Sequence, residues 1–112
     1  MTTEEGMART ILVVGLGTFG SQTAKALYEG GATVLAVDAD PKAVEMAQDS
    51  VTQAVCLDVN NVEALESAGA FDVDVAVLAL RHYFATSVLA THLLKTRGIK
   101  DIVVHVDSDR EA

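Results

Sequence analysis

Short apolar runs alternate with longer amphipathic stretches along the chain, and glycine, aspartate or asparagine residues separate them. The apolar runs are rich in Val, Leu and Ala, which is typical of strands buried on both faces of a parallel sheet. They predict five strands, at Thr10–Val14, Thr33–Val37, Gln53–Leu57, Val73–Leu80 and Asp101–Val106. The amphipathic stretches predict four helices, at Thr18–Glu29, from Asp40-Pro41 onward, at Val62–Ala68 and at Phe84–Lys95.

This regular alternation of strands and helices predicts an α/β fold with a parallel sheet. We expect a Rossmann-like, doubly wound, three-layer α/β/α arrangement with right-handed crossovers and strand order 3-2-1-4-5. In such a sheet the strand order reverses between the first and fourth strands. A ligand is therefore expected over the carboxyl ends of these strands.

Local signals set the helix ends and the expected core. Asp40 with Pro41 is typical of an N-cap and first helical position, and contact with a ligand is the alternative role for Asp40. Asn60 or Asn61 caps the third helix, and Gly69 ends it. Periodicity and residue type predict that the following side chains pack in the core: Phe19, Thr23, Ala26 and Leu27 in the first helix, Val44, Ala47 and Met46 in the second, and Tyr28, Cys56 and Phe71.

A glycine-rich turn, Gly15-Leu16-Gly17-Thr18-Phe19-Gly20, stands directly between the first strand and the first helix. Gly15 permits a tight turn, Gly17 leaves room for a phosphate beside the backbone, and Gly20 lets the helix lie close to the strand. Unpaired N–H groups in the first helical turn favour an anion. The motif predicts a nucleotide site because strand, turn, helix and a later acid all occur in order.

That acid is Asp38, at the end of the second strand, where a carboxylate accepts hydrogen bonds from ribose hydroxyls. The carboxylate would repel a 2′-phosphate, and the next residues, Ala39, Asp40 and Pro41, supply no cation. We therefore favour NAD(H) or an adenosine phosphate over NADP as the cofactor, with Ala39 beside Asp38 in the site.

Composition narrows the function further. The 112 residues carry a net charge of −8, which disfavours a nucleic-acid partner, and no apolar run is as long as a membrane span. Residues 1–8 are expected to be a disordered leader before one domain over residues 9–112. The single cysteine, Cys56, cannot form an internal disulfide, so we expect a cytoplasmic protein.

Several polar residues have two open interpretations. Asp58 follows the third strand and either accepts from an adenine amino group or forms a local turn. Arg81 follows the fourth strand and is either a cation for the phosphates or a solvated loop charge. His92, His105 and Cys56 lack metal-ligand spacing, and no nucleophile or partner carboxylate is placed beside His82 by spacing. No catalytic residue or metal site is predicted.

Four segments resemble, in order, the regulator of K⁺ conductance (RCK) N-terminal domain, also called the TrkA N-terminal domain. The likeness covers roughly Arg9 to Val106 and is nearest to the Ktr-type subunits of potassium transport. The segments are residues 11–20, 34–40, 54–58 with Asn60, Glu63 and Leu65, and 85–95.

This resemblance implies a cytosolic subunit that forms rings, often octameric, beneath a potassium channel or transporter at the inner face of the membrane. Adenine nucleotides bound to the ring would gate transport. The site residues implied are Gly15, Gly17, Thr18, Phe19 and Gly20 along the phosphates, Asp38 at the ribose, Asp58 and Val59 at the adenine, and Leu80 and Arg81 across the cleft. The family also usually adds a sixth strand, a helix and a smaller C-terminal domain, so the sequence is expected to be truncated.

Two positions depart from the family pattern. Many ATP-sensing members have Arg where this chain has Thr18, and many have Gly where it has Arg81. The nucleotide is therefore left open among NAD(H), ADP, AMP and ATP. The leading hypothesis is a non-enzymatic nucleotide-binding regulator of potassium transport, and the alternative is the cofactor half of an NAD-dependent dehydrogenase.

A last expectation concerns self-association. Leu89, Ala90, Leu93 and Leu94 give the fourth helix more apolar positions than one buried stripe requires. We expect its outer face, with the strand beside it, to form an interface between copies of the chain.

Overall fold

Five parallel strands form one sheet with helices on both of its faces. The structure is a computed structural model that describes residues 9–80 and 84–105. The strands are β1 (Thr10–Val14), β2 (Thr33–Asp38), β3 (Gln53–Cys56), β4 (Val75–Leu78) and β5 (Asp101–Val104). The helices are α1 (Thr18–Glu29), α2 (Pro41–Ala47), α3 (Val62–Ala68) and α4 (Phe84–Thr96), with short 3₁₀ turns at Gln48–Ser50 and Ala70–Asp72.

The strand order is β3-β2-β1-β4-β5, and every neighbouring pair is parallel. The predicted fold class and strand order are therefore confirmed. The sheet order reverses between β1 and β4, which pair in register from Ile11 with Val75 to Val14 with Leu78. The glycine-rich turn leaves β1 at this point.

The core has two layers because successive strand side chains point to opposite faces. One layer packs strand residues such as Leu12 and Leu78 against Leu65 of α3 and Leu94 of α4. The other layer packs residues such as Val13 against α1 and α2, where Ala24, Val44 and Ala47 are buried. Both faces of the central strands are thus covered, which explains their continuous apolar sequence.

The ends of the helices follow the local capping signals. The carboxylate of Asp40 accepts from the backbone N–H of Lys42 at 3.0 Å, so Asp40 caps α2 as predicted. Of the two asparagines before α3, Asn61 is the cap: its side chain accepts from the N–H of Ala64 at 3.1 Å. Gly69 ends α3 in the left-handed conformation, with φ of 87°.

Four of the predicted strands differ at one or both ends from those observed. The fourth strand was predicted over Val73–Leu80, but β4 is confined to Val75–Leu78. Its early residues follow the 3₁₀ turn, and its later ones lose their partner strand because β1 turns away at Gly15. The second strand is one residue longer than predicted, β3 is one residue shorter, and β5 ends at Val104.

Some expected core positions are wrong. Met46 is 83% exposed and Tyr28 is 42% exposed. Cys56 is also exposed, because it ends β3 at the edge of the sheet, and its thiol lies 3.4 Å from the carbonyl oxygen of Ala39. In α1 the buried side chain is Ala24 rather than Ala26. The half-buried members of the predicted set are Phe19, Thr23, Leu27 and Phe71.

Several predictions lie outside the described residues. These are the leader at 1–8, the loop positions Arg81 and His82, and the chain after His105. In the described part of the chain, none of the helices is both long enough and apolar enough to cross a bilayer.

Candidate functional site

A cavity of about 560 Å³ opens at the carboxyl ends of the central strands. This volume lies within the range of small-molecule sites, and the position is the one where doubly wound sheets bind ligands. The side chains and backbone that surround it come from five segments: Val14, Gly15 and Gly17; Val37 to Asp40; Leu57 to Asn60; Ala79 and Leu80; and Thr86.

The floor of the cavity is the glycine-rich turn, and two of its glycines are required by close backbone approach. Gly15 has φ of +98°, and a Cβ there would lie 2.5 Å from the carbonyl oxygen of Ala79. A Cβ at Gly20 would lie 2.8 Å from the carbonyl carbon of Gly15 and would overlap its oxygen. These contacts draw the start of α1 tightly against the ends of β1 and β4.

Gly17 differs from the other two glycines. No atom lies within 4 Å of where its Cβ would be, and the residue is exposed. It precedes α1 without any side-chain cap, and the first turn of α1 contains no acidic residue. The amides there are thus available to an anionic group, which the helix dipole also favours.

Asp38 binds the glycine-rich turn directly. One oxygen of its carboxylate accepts from the N–H of Leu16 at 2.6 Å, and the other accepts from the N–H of Asp40 at 2.8 Å. These bonds fix the turn against the end of β2. Each carboxylate oxygen has a second lone pair, so the half-buried group keeps acceptor capacity on the cavity side.

The wall opposite the turn is formed by the segment after β3. The carboxylate of Asp58 accepts from the N–H of Asn60 at 2.9 Å, and its carbonyl accepts from the N–H of Asn61 at 2.8 Å. Asp58 therefore has the turn-forming role weighed from the sequence. Its exposed carboxylate also lines the cavity, so the adenine role remains a prediction.

The structure brings together seven of the eleven predicted site residues on the cavity surface. These are Gly15, Gly17, Asp38, Ala39, Asp58, Val59 and Leu80. Gly20 lies beneath the turn, while Thr18 and Phe19 stand on α1 outside the cavity lining. Arg81 is outside the described residues. The ligand roles of all eleven stay predictions.

Among the polar lining residues, sequence reasoning missed Asn60 and Thr86. The sequence indicates Asn60 only as a cap, although it lies two residues after Asp58, the aspartate predicted to face the crevice. Thr86 lies in the first turn of α4. The predicted crossover from β4 already points the start of that helix toward the cavity, and this was the available signal.

Phe19 makes a contact that links the turn to the far edge of the sheet. Its ring stacks on the imidazole of His105, with ring centroids 3.9 Å apart and planes inclined by 10°. His105 directly follows β5, and its backbone N–H donates to the carbonyl of Leu78 at 2.8 Å. The start of α1 is thereby joined to the carboxyl ends of β4 and β5.

The sheet order, the glycine-rich turn and the acid at the end of β2 define a Rossmann-like domain. The chain matches the TrkA-N domain family over residues 11–112, and it belongs to this family. It is 32% identical over 92% of its length to the Ktr system potassium uptake protein C of Bacillus subtilis. It is also 32% identical over 89% of its length to the Ktr system potassium uptake protein A of Vibrio alginolyticus.

The chain spans only 47% and 46% of the lengths of these two relatives. Among solved structures, the TrkA-N domain of the Escherichia coli inner membrane protein ybaL has a TM-score of 0.62 at 15% identity, covering 92% of this chain and 89% of that one. An epimerase from Methanothermobacter thermautotrophicus has a TM-score of 0.72 at 18% identity, covering 91% and 37%. At these identities the two structures show a shared fold.

Proposed function

We propose that this domain binds an adenine nucleotide, either NAD(H) or an adenosine phosphate, in the cavity beside the glycine-rich turn. The observation that carries the proposal is the open space at Gly17, next to the uncapped first turn of α1. A phosphate can approach the backbone there without meeting a side chain, and it meets N–H groups that need acceptors.

The rest of the cavity suits the rest of a nucleotide. The free lone pairs of Asp38 are available to ribose hydroxyls, and the wall at Asp58 and Val59 offers an acceptor beside an apolar surface for adenine. Leu80 faces this wall from the end of β4, and Arg81 follows it in the chain. The residues present therefore fit the proposed group.

The charges around the cavity favour a ligand with few phosphates. Its described lining contains three carboxylates, from Asp38, Asp40 and Asp58, and no Lys, Arg or His. The helix dipole offers only about half a positive charge at the start of α1. We therefore expect NADH, ADP or AMP to bind at least as tightly as ATP. NADPH should bind most weakly, because its 2′-phosphate would face Asp38.

We further propose that the domain regulates potassium uptake and does not act as an enzyme. The relatives at 32% identity are named as potassium uptake proteins of the Ktr system. The ionisable side chains on the described cavity lining are the three aspartates, and each accepts from a backbone amide at 2.6–3.0 Å. Each of these carboxylates thus has a structural role in its own turn or helix cap, which supports a binding function.

The binding proposal is tested by isothermal titration calorimetry with NADH, ADP, AMP, ATP and NADPH at one salt concentration. Binding of at least one adenine nucleotide is expected in the unmodified chain, with affinity lost in Asp38→Ala and kept in the control Asp49→Ala. Asp49 is an exposed aspartate in the 3₁₀ turn after α2, outside the cavity. An absence of binding by all five ligands would refute the proposal.

The regulatory proposal is tested in cells from which the native gene has been deleted. Uptake of the potassium analogue Rb⁺ should change on deletion, return with the intact gene, and fail to return with the gene carrying Asp38→Ala. Unchanged Rb⁺ uptake in the deletion strain would contradict a role in potassium transport. Steady NADH oxidation or ATP hydrolysis by the pure protein, abolished by a cavity mutation, would contradict the non-enzymatic proposal.

A further inference from the structure

The stacked pair Phe19 and His105 joins two parts of the chain that lie far apart in sequence. Phe19 is the second residue of α1, directly after the exposed residues Gly17 and Thr18. His105 directly follows the edge strand β5 and is held by its backbone bond to Leu78. Neither ring lines the cavity, so neither is placed to contact a ligand in it.

The glycine-rich turn has separate anchors on its other sides. Gly15 donates to the carbonyl of Val37 at 2.9 Å, and Leu16 donates to Asp38, so β2 holds the start of the turn. The contact with Ala79 holds it against the end of β4. These anchors act before Gly17 in the chain, and after it Gly20 packs closely on Gly15 and Ala79.

The first turn of α1 lacks the side-chain cap that commonly fixes a helix start. Gly17 supplies no side-chain cap, and no acidic side chain lies in the first turn. An uncapped helix start frays readily, and frayed amides cannot converge on a phosphate. The Phe19 side chain is half-buried, packs against the core layer beneath α1 and stacks on His105.

We propose that the Phe19–His105 stack positions the amides of Gly17 to Phe19 for the phosphates of the bound nucleotide. His105 is thus a positioning residue for the site, although it lies outside the cavity. The inference rests on the proposed nucleotide binding. It adds that the affinity depends on a contact made from the end of β5.

The test compares nucleotide affinity between ring-removing and ring-keeping variants, by calorimetry with ADP and NADH. Phe19→Leu and His105→Leu keep apolar volume but remove the stack, and each should weaken binding roughly two- to twelvefold, the range for an aromatic pair. The double variant should bind nucleotide about as tightly as the weaker-binding single variant, since each substitution removes the same interaction. His105→Phe should keep the affinity of the unmodified chain, because two phenyl rings also stack.

Matched controls use the same residue types elsewhere in the fold. Phe71 is another half-buried phenylalanine, packed on the opposite core layer, so Phe71→Leu should leave ADP affinity unchanged even if it lowers stability. His92 is an exposed histidine on α4, and His92→Ala should also leave affinity unchanged. A thermal melt of each variant checks that its Tm lies above the titration temperature, so that only folded protein is titrated.

A second measurement locates the effect without any ligand. In two-dimensional ¹H–¹⁵N spectra, His105→Leu should shift the amides of Gly17, Thr18 and Phe19 much more than those of α3. Unchanged spectra at these amides, or folded stack variants that bind ADP like the unmodified chain, would overturn the inference alone. If the unmodified chain binds no nucleotide, the proposed function itself fails, and the two failures are distinct.

Discussion

Two glycines of the turn, only three residues apart, should respond differently to alanine substitution: one substitution should lower stability and the other should lower nucleotide affinity. At Gly20 a new Cβ would overlap the carbonyl oxygen of Gly15 and would lie 3.3 Å from the Cβ of Ala79. At Gly17 a new Cβ would meet no atom within 4 Å, and φ of −70° suits an alanine. Gly20→Ala therefore tests the fold, whereas Gly17→Ala tests the site.

The size of each effect follows from opposing terms. Alanine within a helix gains about 1 kcal/mol over glycine. Overpacking costs about 1–3 kcal/mol, and the upper end applies at Gly20 because the overlapped atom is backbone and cannot rotate away. Gly20→Ala should thus lower the free energy of unfolding by about 2 kcal/mol, which is roughly 8 °C in Tm for a domain of this size. At Gly17, alanine is a poorer N-cap residue than glycine, which lowers stability, but it also restricts the unfolded chain, which raises stability. We expect these two effects to cancel to within about 0.5 kcal/mol in the free energy of unfolding.

The assay is urea unfolding followed by far-ultraviolet circular dichroism, with calorimetric titration of ADP and NADH on the folded variants. Gly20→Ala should unfold at a lower urea midpoint with an unchanged m-value. Gly17→Ala should unfold like the unmodified chain but lose nucleotide affinity, since its methyl group occupies the space proposed for a phosphate. The reasoning is refuted if Gly20→Ala is as stable as the unmodified chain, or if Gly17→Ala is destabilised as strongly.

Three further predictions test the site, a helix cap and an exposed surface. Asp38→Ala removes charge-assisted hydrogen bonds worth roughly 1.5–3 kcal/mol each, so affinity for ADP and NADH should fall at least tenfold by calorimetry, and equal affinity would contradict the ribose role. Asn61→Ala should lower unfolding free energy in urea by about 1 kcal/mol, while Asn60→Ala, at the neighbouring non-capping asparagine, should change it by less than about 0.5 kcal/mol. Leu89 is 64% exposed on α4, so light scattering at high concentration should show association that Leu89→Glu abolishes and Met46→Glu on α2 does not; a monomer throughout would contradict that interface.

The sequence predicts well the features that are set by residues adjacent in the chain or by the general rules of strand connection. The bounds of α3 are confirmed because Asn61 and Gly69 mark its two ends within a few residues. The strand order is confirmed because alternating strands and helices allow few arrangements once crossovers are right-handed. Asp40 caps α2 as predicted, because a cap bonds only to the next turn of its own helix.

Burial was harder to predict, because it depends on which element covers which face. The two-turn helix α2 buries a narrow stripe, and Met46 lies off that stripe although its residue type suggests a core position. Cys56 ends an edge strand, and its sequence does not distinguish an edge from a centre. Tyr28 lies in the last turn of α1 and is exposed, because α1 buries only a narrow face that contains Gly20 and Ala24.

The contacts that organise the site are tertiary and carry no local signal. The bond from Leu16 to Asp38 joins the turn to β2, and the stack of Phe19 on His105 joins it to the end of β5. The motif marks Phe19 and Asp38 as site residues from their positions alone. Their partners, and therefore their structural roles, depend on which strands are neighbours.

The distribution of charge around the cavity explains why these contacts matter for ligand choice. The three lining carboxylates stand at the ends of β2 and β3, while the free amides stand at the start of α1. Carboxylates and free helix amides therefore both border the cavity. The proposed ligand would meet the carboxylates with uncharged donor groups and the amides with its anion, as adenosine carrying 5′-phosphates can. A 2′-phosphate would place an anion beside Asp38, which is fixed by its bonds to the turn and to Asp40.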